Sequence, residues 1–197
     1  MGDKQTIDVY NQNIEKYRSL VKKLPYTKTL KAFISRFDKG AVILDLGCGI
    51  GDSAAIMREE GLLPVCIDGS DEMVETANQL YQLDADVALF SDLVDVSLYD
   101  GIWANFSLLH VTKSEFKTHI NAIHLALKPQ SWFFVGLKLG HGEKRDKFGR
   151  FYAYYGEAEL QILLAQAGFR IDEKIHGKSK GMAGIDETWL GLICQKI

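Results

Sequence analysis

The chain has 197 residues, a formal net charge of −3 and a 47% hydrophobic composition, a balance that fits one globular domain able to bury roughly 70% of its unfolded surface without disulfides or metals. The small negative charge and the lack of a long basic block argue against a nucleic-acid partner, and no run of about 18 apolar residues is present to span a membrane. The polar start MGDKQTIDVYNQ has no apolar core of a signal peptide, so a cytoplasmic location is expected, with Cys48, Cys66 and Cys194 as buried free thiols.

Residues 8–23 (DVYNQNIEKYRSLVKK) are amphipathic and predict a helix, which Pro25 interrupts. A second helix is predicted over 27–37, with Leu30, Phe33, Ile34 and Phe37 on its apolar face and Gly40 closing it. Strand-like runs then alternate with helical ones: strands at 41–46, 63–67, 85–90, 101–104 and 132–137, helices at 52–60, 71–81 and 113–128. The last of these helices has Thr112 or Ser114 as its N-cap and stops before Pro129. Such alternation predicts an α/β fold with a mostly parallel sheet covered on both faces. An insertion at 138–155 follows, then a helix at 157–167 ending at Gly168, a strand at 169–175, a polar Gly-rich connection at 176–186 and a strand at 187–195. No helix separates the two closing strands, so they are expected to pair antiparallel at the sheet edge. No repeat or linker divides the chain, and one domain over 1–197 is expected.

The stretch ILDLGCGIGD joins the first strand to the first helix of the alternating region, the place where an open α/β sheet forms its ligand crevice. Gly47, Gly49 and Gly51 are spaced by two, unlike the Gly-x-Gly-x-x-Gly of a dinucleotide site, and Asp45 and Asp52 flank them. A pyrophosphate prefers the anion-friendly end of a helix. Two carboxylates there repel a diphosphate and suit a phosphate-free nucleoside with a positively charged amino-acid tail. Asp68 ends the second strand, where an acid accepts hydrogen bonds from ribose hydroxyls or caps the helix beginning near Asp71. Asp92 in Phe90-Ser91-Asp92-Leu93 reaches an adenine edge or closes a local turn.

These segments together resemble the class I S-adenosylmethionine-dependent methyltransferases, small stand-alone bacterial type, over nearly the whole chain. The resemblance rests on the glycine stretch, on CIDGSDEMVETA, on YDGIWANFSLLHV and on HLALKPQSWFFVGLK. The leading YNQNIEKY, GRFYAYYGEAELQILLAQAGF and ETWLGLI are similar to a branch labelled as tellurite-resistance related. A Gly-Gly usual after the proline is replaced by Gln130-Ser131. The resemblance implies a Rossmann-like, doubly wound, seven-stranded and mostly parallel sheet with an antiparallel C-terminal edge pair. Residues 1–39 would form a helical lid over a core at 40–197. It implies S-adenosylmethionine as cofactor and S-adenosylhomocysteine as product. Asp45 and the backbone of Gly47, Cys48 and Gly49 would hold the methionine part; Asp68 the ribose; Gly69, Ser70 and Met73 the nucleoside; Asp92 and Leu93 the adenine. Asn105 and Phe106 would lie beside the sulfonium, and Tyr17 would close over the site. Asp100 matches too, in a place that serves either ligand or sheet.

Methyl transfer demands alignment more than acid–base chemistry. His110 is the candidate base, with a structural loop histidine as the alternative. Arg150 and Tyr152, in an insertion that mixes cations with aromatics, are candidates for binding an anionic or planar acceptor, unless those aromatics only pack on the core. His119 and His124 are five apart and do not share a helix face as metal ligands do, so no metal is expected. No Asn/Asp-Pro-Pro-aromatic motif and no Pro-Cys nucleophile follow the fourth strand, which argues against amino- and C5-methylation of DNA bases. A small-molecule acceptor is the default, and the protein is expected to be a monomer or homodimer. A non-catalytic cofactor-binding regulator and a nicotinamide oxidoreductase are the competing readings.

Overall fold

The computed structural model describes residues 3–21 and 27–197, so the predicted break at Pro25 and the end of the first helix at 22–23 lie outside the described residues. The leading helix is two helices, α1 (Lys4–Gln12) and α2 (Ile14–Val21). It starts earlier than apolar periodicity suggests because the Asp3 side chain caps it, accepting from the Thr6 amide. Asn13 breaks it by leaving helical backbone angles while its amide and side chain bond back to Tyr10 and Val9. Helix α3 (Thr27–Ile34) follows.

The core alternates as β1 (Val42–Leu46), α4 (Asp52–Glu59), β2 (Leu63–Asp68), α5 (Asp71–Tyr81), β3 (Asp86–Val87), β4 (Tyr99–Asn105), α6 (Lys113–Ala126) and β5 (Leu127–Lys138). A short hairpin, β6 (Glu143–Arg145) and β7 (Phe151–Ala153), lies inside the insertion; then come α7 (Glu157–Gln166), β8 (Phe169–Lys180) and β9 (Asp186–Lys196). The seven-stranded sheet has the order β3-β2-β1-β4-β5-β9-β8. Pairing is parallel from β3 to β5, and β9 runs antiparallel to both β5 and β8. This is the Rossmann-like arrangement, with an antiparallel edge pair, that the resemblance implies.

Strict alternation along the central strands builds two cores. Leu44 and Leu46, Ile102 and Ala104, and Phe133, Val135 and Leu137 face α6 and α7. Ile43, Trp103 and Phe134 face α3 and α4, where Trp103 and Phe134 stack at 3.9 Å. A strand buried on both faces needs apolar residues at every position, which is what the sequence supplies.

Two expected elements differ. The strand at 85–90 shrinks to two residues because the Asp92 carboxylate takes the Leu89 amide at 2.9 Å and winds 90–92 into a one-turn 3₁₀ helix. The polar connection at 176–186 is mostly strand: β8 runs on to Lys180 with half-buried and exposed residues alternating. Its polarity is that of an edge strand. Gly177 belongs there because a Cβ would stand 2.1 Å from the Trp189 ring. Among the described residues no helix is long and apolar enough to cross a membrane.

Candidate active site

The loop from β1 to α4 turns at Gly47 (φ 80°), where a Cβ would stand 2.4 Å from that of Ser107. A side chain there would force the loop away from the end of β4. The amides of Gly47 and Cys48 both donate to the Ile67 carbonyl, at 2.9 and 3.0 Å. The Gly49 amide donates to Asp68 Oδ2 at 2.9 Å. None of the three is therefore offered to an anion, and the phosphate cradle of a dinucleotide site is not built here. The backbone that was expected to hold a ligand at 47–49 presents bare glycine surface, roofed at Gly49 by the Tyr17 ring.

Three acids surround this loop. Asp45 is 2% exposed, and its Oδ2 has no hydrogen-bond partner within the protein. Burial pushes its carboxyl well above the usual range, and the nearby Cys66, Asp52 and Asp68 push it the same way. Burial also raises Asp52 and Asp68, the latter opposed by the amides of Ser70, Gly49 and Gly69. Asp68 uses one oxygen for Gly49 and the other for the Ser70 amide at 2.9 Å. A carboxylate has about four lone-pair directions, so capacity remains for a diol. The Asp68 carboxylate bonds at the head of α5, but it is Ser70 that caps α5 through Met73.

Two adjoining lobes open beside the loop. One is lined by Ile7, Asp68, Gly69, Met73, Leu89 and Phe90 among others. The other includes Asp45, Cys48, Lys138, Arg150, Tyr152 and Trp189. Tyr10, Tyr17, Gly47, Asn105, Phe106 and His110 line both and so mark the junction. Phe106 sits at φ 56°, a conformation that costs a non-glycine residue about 1–3 kcal/mol. Its amide is held by the Gly136 carbonyl at 3.0 Å.

Helix α1 roofs the junction and is tied down on both sides. Arg145 forks onto Asp3 at 2.9 and 2.8 Å, and the Phe151 amide donates to Thr6. On the other side Asn11 bonds Asp71 and Ser70.

Beneath the roof lies a buried polar chain. His110 Nδ1 meets the Phe151 carbonyl at 2.6 Å, and its Nε2 meets the Tyr10 hydroxyl at 2.9 Å. Arg150, 3% exposed, donates to that hydroxyl at 3.0 Å and twice to Asp146, at 3.0 and 2.7 Å. Lys138 pairs with Glu187 and lies over the Tyr152 ring. Burial pulls His110 down to about 3, with Arg150 and Lys138 adding to the effect.

Several expected roles change. His110 is not placed as a free base, because the lone pair that would take a proton is occupied by Tyr10. Arg150 lines the second lobe with Tyr152, but its charge is matched by Asp146. Asp92 is exposed and closes its own turn, and Leu93 packs into the core; neither lines a lobe, and Leu89 and Phe90 stand where they were expected. Asp100 serves the sheet, taking the Val42 amide and the Lys128 ammonium. Tyr10, Ile7, Leu89, Phe90 and Trp189 were not expected in the site. Tyr10 was within reach, since it stands seven residues, two helical turns, before Tyr17.

Residues 43–130 match the family described as Methyltransferase domain. That segment carries the glycine loop, Asp68 and Asn105. No curated protein matches the chain. Among solved structures, 1,6-didemethyltoxoflavin-N1-methyltransferase of Burkholderia thailandensis, with 1,6-didemethyltoxoflavin and S-adenosylhomocysteine bound, superposes with a TM-score of 0.80 at 21% identity, covering 98% of this chain and 87% of that one. Magnesium protoporphyrin IX methyltransferase of Synechocystis, with S-adenosylmethionine bound, gives 0.74 at 19% identity, covering 99% and 98%. A TehB-like S-adenosylmethionine-dependent methyltransferase of Corynebacterium glutamicum gives 0.73 at 16%, covering 95% and 98%. At these identities the likeness establishes the fold.

Proposed function

We propose that this protein is a class I S-adenosylmethionine-dependent methyltransferase acting on a small-molecule acceptor. The observation that carries the reading is the Asp45 carboxylate: buried, unpartnered at Oδ2, and lining a crevice whose loop amides are already spent. A cationic amino-acid tail fits such a site, and a phosphate does not. Asp45 and Asn105 would hold that tail. Asp68 would take the ribose hydroxyls, and Met73, Leu89 and Phe90 would flank the base. When bound, the cofactor supplies a sulfonium-activated methyl group for in-line displacement by the acceptor. The chain's own part is to align the acceptor at the junction under Tyr10 and Tyr17, and alignment of this kind is worth about 7–11 kcal/mol of barrier.

The second lobe favours an enzyme over a cofactor-binding regulator, which has no use for another buried, polar compartment. The single-domain reading is supported by the ties that α1 makes to both the β6–β7 hairpin and α5; of the lid expected over 1–39, α3 instead packs into the core through Leu30 and Phe33, which leaves α1 and α2 for that role. The TehB-like structure is no nearer than the porphyrin enzyme, and we assign no branch. The test is calorimetry with S-adenosylhomocysteine and with NAD, followed by release of S-adenosylhomocysteine across acceptor classes. At a hundredfold excess over Kd, a bound ligand stabilises by about 2.7 kcal/mol. Stabilisation by NAD alone would reject the reading.

A further inference from the structure

The second lobe, given the reading above, restricts the acceptor. Its buried cations are already matched, Arg150 by Asp146 and Lys138 by Glu187. An entering carboxylate would lose its hydration and find no uncompensated buried cation, since the remaining lysine of the lobe, Lys180, is exposed; that is unfavourable for a buried ion. The walls include Tyr152, Phe106 and Trp189, whose faces suit a flat, uncharged ring.

At the junction the hydrogen bonds run in one direction. The Phe151 carbonyl only accepts, so His110 Nδ1 carries the proton and Nε2 is a bare lone pair. Tyr10 therefore donates to Nε2, and it accepts from Arg150. Tyr152 lines the same lobe. With one bond donated and one accepted, the Tyr10 oxygen keeps one lone pair free. The charged groups facing this cluster are Arg150, Lys138, Asp146, Glu187 and Asp68. Burial keeps His110 neutral near pH 7, so the direction persists there.

We propose that the acceptor is an uncharged planar molecule that enters as a hydrogen-bond donor, presenting an N–H or O–H to the phenolic oxygen of Tyr10. His110 is a positioning residue: it fixes which way the Tyr10 hydroxyl points.

The probes are 1-naphthol, 1-methoxynaphthalene and 1-naphthoate, titrated into protein saturated with S-adenosylhomocysteine and followed by tryptophan fluorescence. Naphthol is expected to bind about tenfold tighter than either analogue, the gap of one well-formed hydrogen bond. In Tyr10→Phe the advantage over methoxynaphthalene should fall below about threefold, with affinity for S-adenosylhomocysteine retained. His110→Gln, whose amide oxygen can take the Tyr10 proton, should keep the preference, and His110→Leu should lose it. Naphthoate binding tightest, equal binding of all three probes, or an unchanged preference in Tyr10→Phe overturns the proposal. If calorimetry finds no S-adenosylhomocysteine binding while naphthol is still preferred, the cofactor reading fails and the donor assignment stands.

Discussion

Asp45→Asn separates what the acid does for binding from what it does to the fold. The side chain is 2% exposed with one oxygen unpartnered, and burial holds its carboxyl well above the usual range. A carboxylic acid whose folded pKa is raised binds protons more tightly folded than unfolded. Its effect on stability therefore becomes unfavourable as pH rises from the ordinary carboxylate value through the folded one. Replacing it with a neutral amide removes that penalty at pH 7.5. For a chain of this size each kcal/mol of net relief would read as a Tm rise of about 2–4 °C. Affinity for S-adenosylhomocysteine should move the other way: losing a hydrogen bond to a charged group costs about 1.5–3 kcal/mol, or roughly 10–150-fold in Kd. Thermal melts without ligand and calorimetry with it read the two effects separately. A lower Tm together with unchanged affinity would refute the reasoning, since it would make Asp45 a structural acid with no ligand role.

Asp68→Ala should weaken S-adenosylhomocysteine binding by about tenfold or more, because it orphans the amides of Gly49 and Ser70 as well as removing the diol partner; unchanged calorimetric affinity would remove the ribose assignment. Gln130 holds φ 63° at an exposed position near the start of β5, so Gln130→Gly should stabilise by about 0.5–1 kcal/mol, measured by urea titration. The Asp3 carboxyl is held below its usual range, chiefly by its hydrogen bonds from Arg145. A depressed pKa contributes stability above the unfolded value and loses it as pH falls. Protection of the α1 amides relative to their intrinsic exchange rates should thus fall between pH 5 and pH 3 more than elsewhere, by about fivefold for a tie of about 1 kcal/mol, and Arg145→Ala should flatten that dependence.

The order of strands and helices is legible because central strands buried on both faces need near-continuous apolar runs, and WFFVGL and VILDL, broken only by Asp45, supply them. The glycine loop is legible because φ values such as that of Gly47 exclude side chains. The acids Asp45 and Asp68 follow from their place at strand ends. What the sequence hides depends on distance in space. Tyr10 and Arg150 are 140 residues apart, yet they share a hydrogen bond. The charge of Arg150 reads as available until Asp146 is seen to hold it. Asp92 looks like a ligand for adenine, but a short polar side chain readily bonds its own backbone. The far end of β8, 176–180, escapes a hydropathy reading because an edge strand half in water carries lysines where a central one carries leucines.

Helix α1 is fastened to the hairpin at one end and to α5 at the other, and it covers both lobes at once. If the proposed reading holds, a product leaving either lobe passes the same tyrosine of this helix, Tyr10. A compound wedged in one compartment would then hinder its neighbour, and turnover at saturation would follow the swing of the helix rather than the chemistry behind it.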